Sequence, residues 1–417
     1  MNSSMVMESI ISLAPGRGES EIGIAVLEWN SCTLLQISDT CTFAKTLSTI
    51  MTHDPSLIVM PDTSQVTKLQ LIIQESFQVE IVFLQRKYFN DVRGLDFLQK
   101  YSSSGPDVTI DTDQYYALAA LAGLMTWAES NTDLRVKSLT FSTRNLQGIL
   151  LLDLITTRNL EVIRGNESDL CLMKVVDYTV TRMGKRLLRM SLCQPLFDEG
   201  LIENRLDAVQ ELNSFNSGIK GLLKKCPDLD MVLRGLNLIS QKALVKHAEQ
   251  SINYILQLKS LLKILTDITS DLKNCCSSLL VTICEILNHE KLNDILEMID
   301  NVINEDVVYQ KSSIGLRHQR CFAVKSGYNG LLDVARQTYK ETTDDVYDLI
   351  KDYSEKHSLP IKSNFEVNMG FYMSIPDENM QDKNMPLEFI NVVKKRKNLV
   401  FTTLKLVISM KLKIRCR

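Results

Sequence analysis

Glycine and proline are scarce, 17 and 9 in 417 residues. A turn-rich all-β chain or a collagen-like one needs far more of both, so their shortage excludes those classes and favours long helices. Cysteine occurs ten times but never as a C-x-x-C pair. That spacing removes the usual zinc and dithiol signatures, and the thiols read as reduced, mostly buried small hydrophobes. No stretch approaches eighteen uninterrupted apolar residues, so no membrane span is expected. Met1 to Gly18 lacks a basic start followed by a long apolar run, and so does not read as a secretory signal. A phosphate loop, G-x-x-x-x-G-K-[ST], is also missing. The nearest string, Gly184-Lys185, has Thr179 where the first glycine belongs and Arg186 in place of the hydroxyl that would reach magnesium. None of the five histidines sits in a recognisable nucleophile elbow.

What is present is ordinary in bulk and uneven in detail. The length gives about three domains as a starting expectation. Apolar residues at 45% and charged residues at 23% exclude a mostly disordered chain. The net charge of -3 hides a split. Pro386 to Arg417 carries nine Lys/Arg against Glu388 alone, a net of +8, which leaves 38 basic and 49 acidic side chains, a net of -11, on the rest. Such segregation points to a polyanion contacted locally.

Along the chain, residues 1–19 read as an N-terminal tail and 20–145 as an α/β domain. Ile22–Leu27 and Thr33–Ser38 form a strand pair about Asn30-Ser31. Leu57–Met60 and Val79–Phe83 follow the helical patterns Phe43–Met51 and Val66–Ser76, and Asp113–Glu129 is a further helix. Strands and helices in alternation predict a partly parallel sheet. Residues 146–330 turn helical. Val245, Ala248, Ile252, Ile255, Leu258 and Leu262 make one apolar stripe, and Leu292, Ile295, Leu296, Ile299, Val302 and Ile303 another, both expected as bundle core. From 331 to 405 the pattern changes. Leu332, Tyr339, Val346 and Tyr353 recur at seven, with Ala335, Thr342 and Leu349 between them, which predicts a slender two-helix arm inserted into the helical body. Phe365–Ile375 reads as strand and turn within it, and 406–417 as a basic tail.

Three clusters could carry chemistry. Cys284, His289, His318 and Cys321 have zinc-ligand types, but the long amphipathic stretch between the pairs favours structural roles. Glu28, Asp62, Asp111 and Asp113 fall near strand ends or loops, where carboxylates could hold two Mg2+ ions for phosphodiester cleavage or could simply be solvated. The strongest cluster is Lys394-Lys395-Arg396-Lys397, supported by Lys405. It suits phosphate contacts that position a duplex without reading its sequence. A nuclear import signal, or a solvated face, has the same composition.

One long block narrows these options. It includes Asn159-Leu160-Glu161, Val176-Asp177-Tyr178-Thr179-Val180-Thr181-Arg182-Met183-Gly184-Lys185-Arg186-Leu187-Leu188-Arg189, Gln194-Pro195-Leu196-Phe197-Asp198 and Arg205–Leu212. It resembles the start of the core, or lever, domain of the MutS family. Tyr328–Arg336 resembles the entry to that family's clamp and Gly370-Phe371-Tyr372-Met373 the segment across its far side. Gln85-Arg86-Lys87-Tyr88-Phe89-Asn90 looks most like the family's eukaryotic meiotic branch.

The resemblance, over about 20–405, implies a mainly α, multidomain protein. It comprises a connector domain of ribonuclease H-like fold without nuclease activity, then a helical core with an inserted clamp. It implies a DNA-binding protein of the nucleus and chromosomes that embraces double-stranded or branched junction DNA, paired with a second meiotic MutS paralogue, to promote crossovers. The basic run Lys394, Lys395, Arg396 and Lys397 would then grip DNA. A mismatch-reading Phe-x-Glu wedge is not expected, because the string Phe197-Asp198-Glu199 lies inside the core block. ATP and Mg2+ belong to the family's carboxy-terminal ATPase, and this chain is expected to be a truncated, non-catalytic form that needs no cofactor. A module that binds a paralogue without DNA, or a metal-dependent nuclease using Glu28 and Asp62, is the alternative.

Overall fold

The structure is a computed structural model that describes residues 9–16, 18, 20–65, 67–102, 114–131, 134–144, 148–165, 170–214, 218–240, 245–304, 322–366, 370–377, 386–395 and 398–407. The chain divides into two compact units, Met1–Leu296 and Glu297–Arg417.

The first unit opens with three strands, β1 (Ser9–Pro15), β2 (Glu21–Glu28) and β3 (Ser31–Ser38), in an antiparallel meander. Helix α1 (Ala44–His53) leads to β4 (Leu57–Pro61), and α2 (Lys68–Ser76) leads to β5 (Glu80–Leu84). Strand β4 pairs parallel with β1, and β5 parallel with β4. Helices α3 (Asp91–Tyr101) and α4 (Tyr115–Asn131) follow, then β6 (Leu134–Val136) and β7 (Thr140–Thr143). The six-stranded sheet has the order β5-β4-β1-β2-β3-β7. Residues 9–15 therefore do not belong to a tail. They form an interior strand of the sheet, buried along its whole length.

Strand alternation sorts the side chains to two faces. Ile11, Leu13, Ile22, Ile24, Val26 and Leu35 pack under α1 and α2 with Phe43, Leu47, Ile50, Leu69 and Ile73. Ile10, Ala14, Ala25 and Leu34 face α3 and α4. Here the helix comes unusually close. A Cβ on Gly23 would lie 1.8 Å from the Tyr116 carbonyl oxygen, and one on Gly94 2.2 Å from that of Leu118. These two glycines and the small buried residues of α4 (Ala117, Ala119, Ala120, Ala122) allow helix, sheet and α3 to touch through backbone.

The rest of this unit is helical: α5 (Leu154–Asn159), α6 (Leu172–Val176), α7 (Arg182–Cys193), α8 (Glu199–Ser214), α9 (Ile219–Leu223) and α10 (Leu229–Asn237). A short strand β8 (Leu238–Ser240) pairs with β6, and α11 (Val245–Leu272), α12 (Ser278–Leu287) and α13 (Glu290–Val302) follow, the last of them ending in the second unit. The carboxy-terminal half of α11 supplies Ile264, Ile268 and Leu272 to a core with Ala208, Cys275 and Leu280. The Glu211 carboxylate on α8 accepts the backbone N–H groups of Cys276 (2.6 Å) and Ser277 (2.8 Å) ahead of α12. Those two bonds hold its pKa below the usual carboxylate range. The stripe expected on α13 is not a core stripe. No residue of that helix is buried, and Ile303, one residue past its end, is the first that is.

Among its described residues the second unit pairs a long helix with a sheet, where a two-helix arm was expected. Helix α14 (Gly330–His357) is capped at its start by Asn329, whose side chain accepts the Leu332 N–H. It is followed by four strands: β9 (Lys362–Glu366), β10 (Gly370–Pro376), β11 (Phe389–Lys395) and β12 (Asn398–Thr403). They form one antiparallel sheet of order β11-β12-β10-β9. The heptad residues Val346 and Tyr353, together with Ile350, are buried against Met373, Ile375, Phe389 and Phe401 of the sheet, not against a second helix. The amino-terminal part of α14 carries exposed Leu331 and Val334 instead. The segment 389–403 is rich in Phe, Ile, Val and Thr, types that suit a half-buried pleated surface.

Candidate nucleic-acid interface

Strand β11 pairs with β12 on one side only, so it is an edge strand. Its five residues Asn391 to Lys395 are all exposed. Lys394 and Lys395 thus stand at the surface of the second unit. Arg396 and Lys397 follow in sequence before Asn398, the cross-strand partner of Lys395, and lie outside the described residues. Consecutive strand residues face opposite sides of the sheet. Lys394 forms an ion pair with Asp377, just beyond β10. The Lys395 ammonium lies 5.9 Å from the centroid of the Tyr372 ring on β10. The two described cations of the run therefore do not share one face of the sheet. Lys405 is exposed as well, beside a hollow shared with Asp352, Tyr353, Lys356 and Glu388. There Lys356 donates to Glu388 at 2.6 Å. Their mutual bond raises the lysine pKa and lowers that of the carboxylate.

The other sequence candidates separate. Glu28 ends β2 and accepts from His53 Nδ1 at 2.6 Å. Asp62 follows β4 and accepts the Arg86 backbone N–H at 3.0 Å. The register sets Glu28 opposite Ser9, while Asp62 is level with Pro15 at the other end of β1. Six residues of strand rise part them, roughly 20 Å, far beyond the ~4 Å of a two-metal site. The nuclease pairing of Glu28 with Asp62 is thereby corrected. Asp111 and Asp113 lie outside the described residues, as do His318 and Cys321 of the zinc candidate. Cys284 is half-buried on α12, His289 is exposed, and no group of three potential metal ligands occurs among the described residues.

The string around Gly184-Lys185 is the start of α7, where the Gly184 N–H donates to the Thr181 hydroxyl at 3.0 Å. Lys185 pairs with Asp177 at 3.1 Å. Arg186 reaches Asp228 at 2.8 Å and Asp230 at 2.5 Å. Each group suited to meeting a phosphate is engaged within the fold.

The tie between the α/β part and the helices of the same unit was not foreseen from the sequence. Trp29 adopts a left-handed turn (φ 49°) between β2 and β3. Its ring lies under the guanidinium groups of Arg186 (5.2 Å) and Arg234 (5.9 Å). Beside it Asn237 bridges Asn30 and the Ser138 carbonyl. Arg189 donates to the Met51 carbonyl at 2.9 Å and pairs with Asp54 at 3.3 Å. An exposed-looking Trp in a turn, with Arg on later helices, is the one available signal.

No helix among the described residues is long and apolar enough to cross a membrane. The profile of MutS domain III matches residues 155–383. The chain is 32% identical to MutS protein homolog 4 of Mus musculus over 98% of its own length and 44% of the relative's. For MutS protein homolog 4 of Homo sapiens the figures are 31%, 98% and 46%, and for that of Saccharomyces cerevisiae 30%, 93% and 47%. The chain thus spans about half the length of the curated relatives it matches. A profile match over more than half of its residues, in a helical body preceded by an α/β layer, places this chain in the MutS family.

Proposed function

We propose that this chain takes part in meiotic recombination as the DNA-holding portion of a MutS protein. It would embrace junction DNA at chromosomes in the nucleus, together with a second MutS paralogue. The six-stranded layer is read as a ribonuclease H-like connector. Its antiparallel β1-β2-β3 meander, extended by parallel β4 and β5, supports that reading. The helices after it are read as the core, and 331–405 as the clamp. The role is one of holding, not of catalysis.

The observation that carries this reading is the exposed edge strand β11, with Lys394 and Lys395 at the surface of a unit that overlaps the matched domain III. Cations on such a strand neutralise phosphates and release counterions, whatever the base sequence.

The decisive measurement is fluorescence anisotropy with a four-way junction and a linear duplex, over a salt series. Changing Lys394, Lys395, Arg396 and Lys397 together to Ala should weaken both complexes about tenfold or more. The salt slope should flatten by about 0.9 for each phosphate no longer neutralised. Unchanged affinity and slope would remove the basic run from the interface.

A second reading rests on the helices α5 to α8, where Ile155, Leu160, Tyr178, Leu187, Phe197 and Leu206 are exposed. Apolar surface of that extent suits a protein partner. Co-purification with a paralogue, in the absence of any salt-sensitive DNA binding, would favour it.

A further inference from the structure

The α/β layer holds a cavity that the DNA-holding reading leaves without a role. It measures about 830 Å³ and opens at the carboxyl ends of the parallel strands β1, β4 and β5. Pro15 and Gly16 at the end of β1, Thr63 and Ser64 after β4, and Arg86 and Lys87 after β5 line it. In open sheets of this kind, ligands settle in the crevice outside the carboxyl ends of the strands.

The chemistry of the wall selects the ligand. Arg86 and Lys87 supply two positive charges, and no carboxylate is among the described lining residues. Neither cation has an ion-pair partner among the described residues. Arg86 spends one donor on the Pro15 carbonyl, at 3.3 Å, which fixes its guanidinium at the mouth of β1 and leaves its other N–H groups for a ligand. Thr63 and Ser64 add hydroxyl-bearing side chains to the same wall. Such a set cannot hold a metal cation and is suited to a phosphate.

Two features argue for more than bare phosphate. The volume falls in the range of small-ligand sites, roughly 300–1,000 Å³, and far exceeds one anion. The far wall is aromatic, with Tyr115 and Tyr116 set edge to face at 5.1 Å. The Tyr115 ring is half exposed and offers a face on which a base can stack.

We infer that this cavity binds a nucleoside phosphate, its phosphates on Arg86 and Lys87 and its base against Tyr115. The site belongs to the first unit alone, so it stands or falls apart from the role given to Lys394 and Lys395.

Isothermal titration of the whole chain with ADP, adenosine and inorganic phosphate tests it. ADP should bind once per chain, with adenosine and phosphate each about tenfold weaker or more. R86A/K87A should weaken ADP about tenfold. Y115A, at an exposed ring, should weaken ADP about threefold to tenfold while leaving phosphate unchanged. It decides the matter if the double variant fails to fold. Saturating duplex DNA should leave ADP affinity as it was. No ADP binding, equal binding of ADP and phosphate, undiminished ADP binding by both variants, or displacement of ADP by DNA would each overturn the inference.

Discussion

Two sheets in this chain solve the same problem in different ways. The six-stranded sheet of the first unit is covered on both faces, by α1 and α2 on one side and α3 and α4 on the other. The four-stranded sheet of the second unit buries one face against α14 and leaves β11 bare at its edge. A doubly covered strand can use apolar residues at every position, and β1 is buried at every one. A singly covered edge strand must guard its open backbone, and lysine is a usual guard. The same two lysines that stand on this open edge are the ones we propose to meet phosphate.

The sharpest way to break this contrast is to cut equivalent side chains. Ile24 is fully buried between β1 and β3, while Val393 is more than half exposed on β11. Ile24→Ala should cost about 2–5 kcal/mol, from the lost transfer energy and the cavity left behind. Val393→Ala should stay within about 0.5 kcal/mol. Urea unfolding of both variants checks this. Similar losses at the two sites would mean that β11 is covered, and that its lysines are not a free surface.

The next test concerns what holds the rim of the second sheet. Glu388, at the start of β11, accepts from Lys356 on α14. Its folded pKa lies below the ordinary 4.5, so the pair contributes fully above that pH and is lost as pH falls through the depressed folded value. Both groups are exposed, so the effect should be smaller than that of any core change. Thermal melts of the native chain and of Glu388→Gln should differ near neutral pH and converge in acid. A gap that widens in acid would contradict the assignment.

How far the sequence revealed all this follows the same contrast. The strands β2 to β5 were legible because Asn30-Ser31 and Pro61-Asp62 punctuate short apolar runs. Strand β1 was not. A run buried at every position has no burial period to detect, and its place at the amino end invites the reading of a tail. On α14 the heptad spacing was real, but a stripe at seven shows only that a helix is covered along one face. It cannot distinguish a second helix from a sheet, and here Met373, Ile375, Phe389 and Phe401 do the covering. The lysines of the candidate interface were visible as composition, and their division between two faces was not, because it needs the strand. The cavity at Arg86 is assembled from four separated segments, so only the cationic pair itself could be seen beforehand.

The finest distinction lies between the two described lysines. Lys394 is already engaged by Asp377, whereas Lys395 lies over the Tyr372 ring. A phosphate must compete with Asp377 for the first and approaches the second beside the Tyr372 ring. Lys395→Ala should therefore weaken junction and duplex alike and lower the salt slope by about 0.9, the yield of one phosphate contact. Asp377→Asn should act in the opposite direction. Freeing Lys394 from an exposed ion pair worth roughly 0.5–1 kcal/mol should tighten DNA binding about two- to fivefold and steepen the slope. Anisotropy titrations at two salt concentrations suffice to read both signs. If Asp377→Asn leaves affinity unchanged while Lys395→Ala weakens it, DNA lies on the Tyr372 face of the sheet alone, and Lys394 serves only to guard the edge.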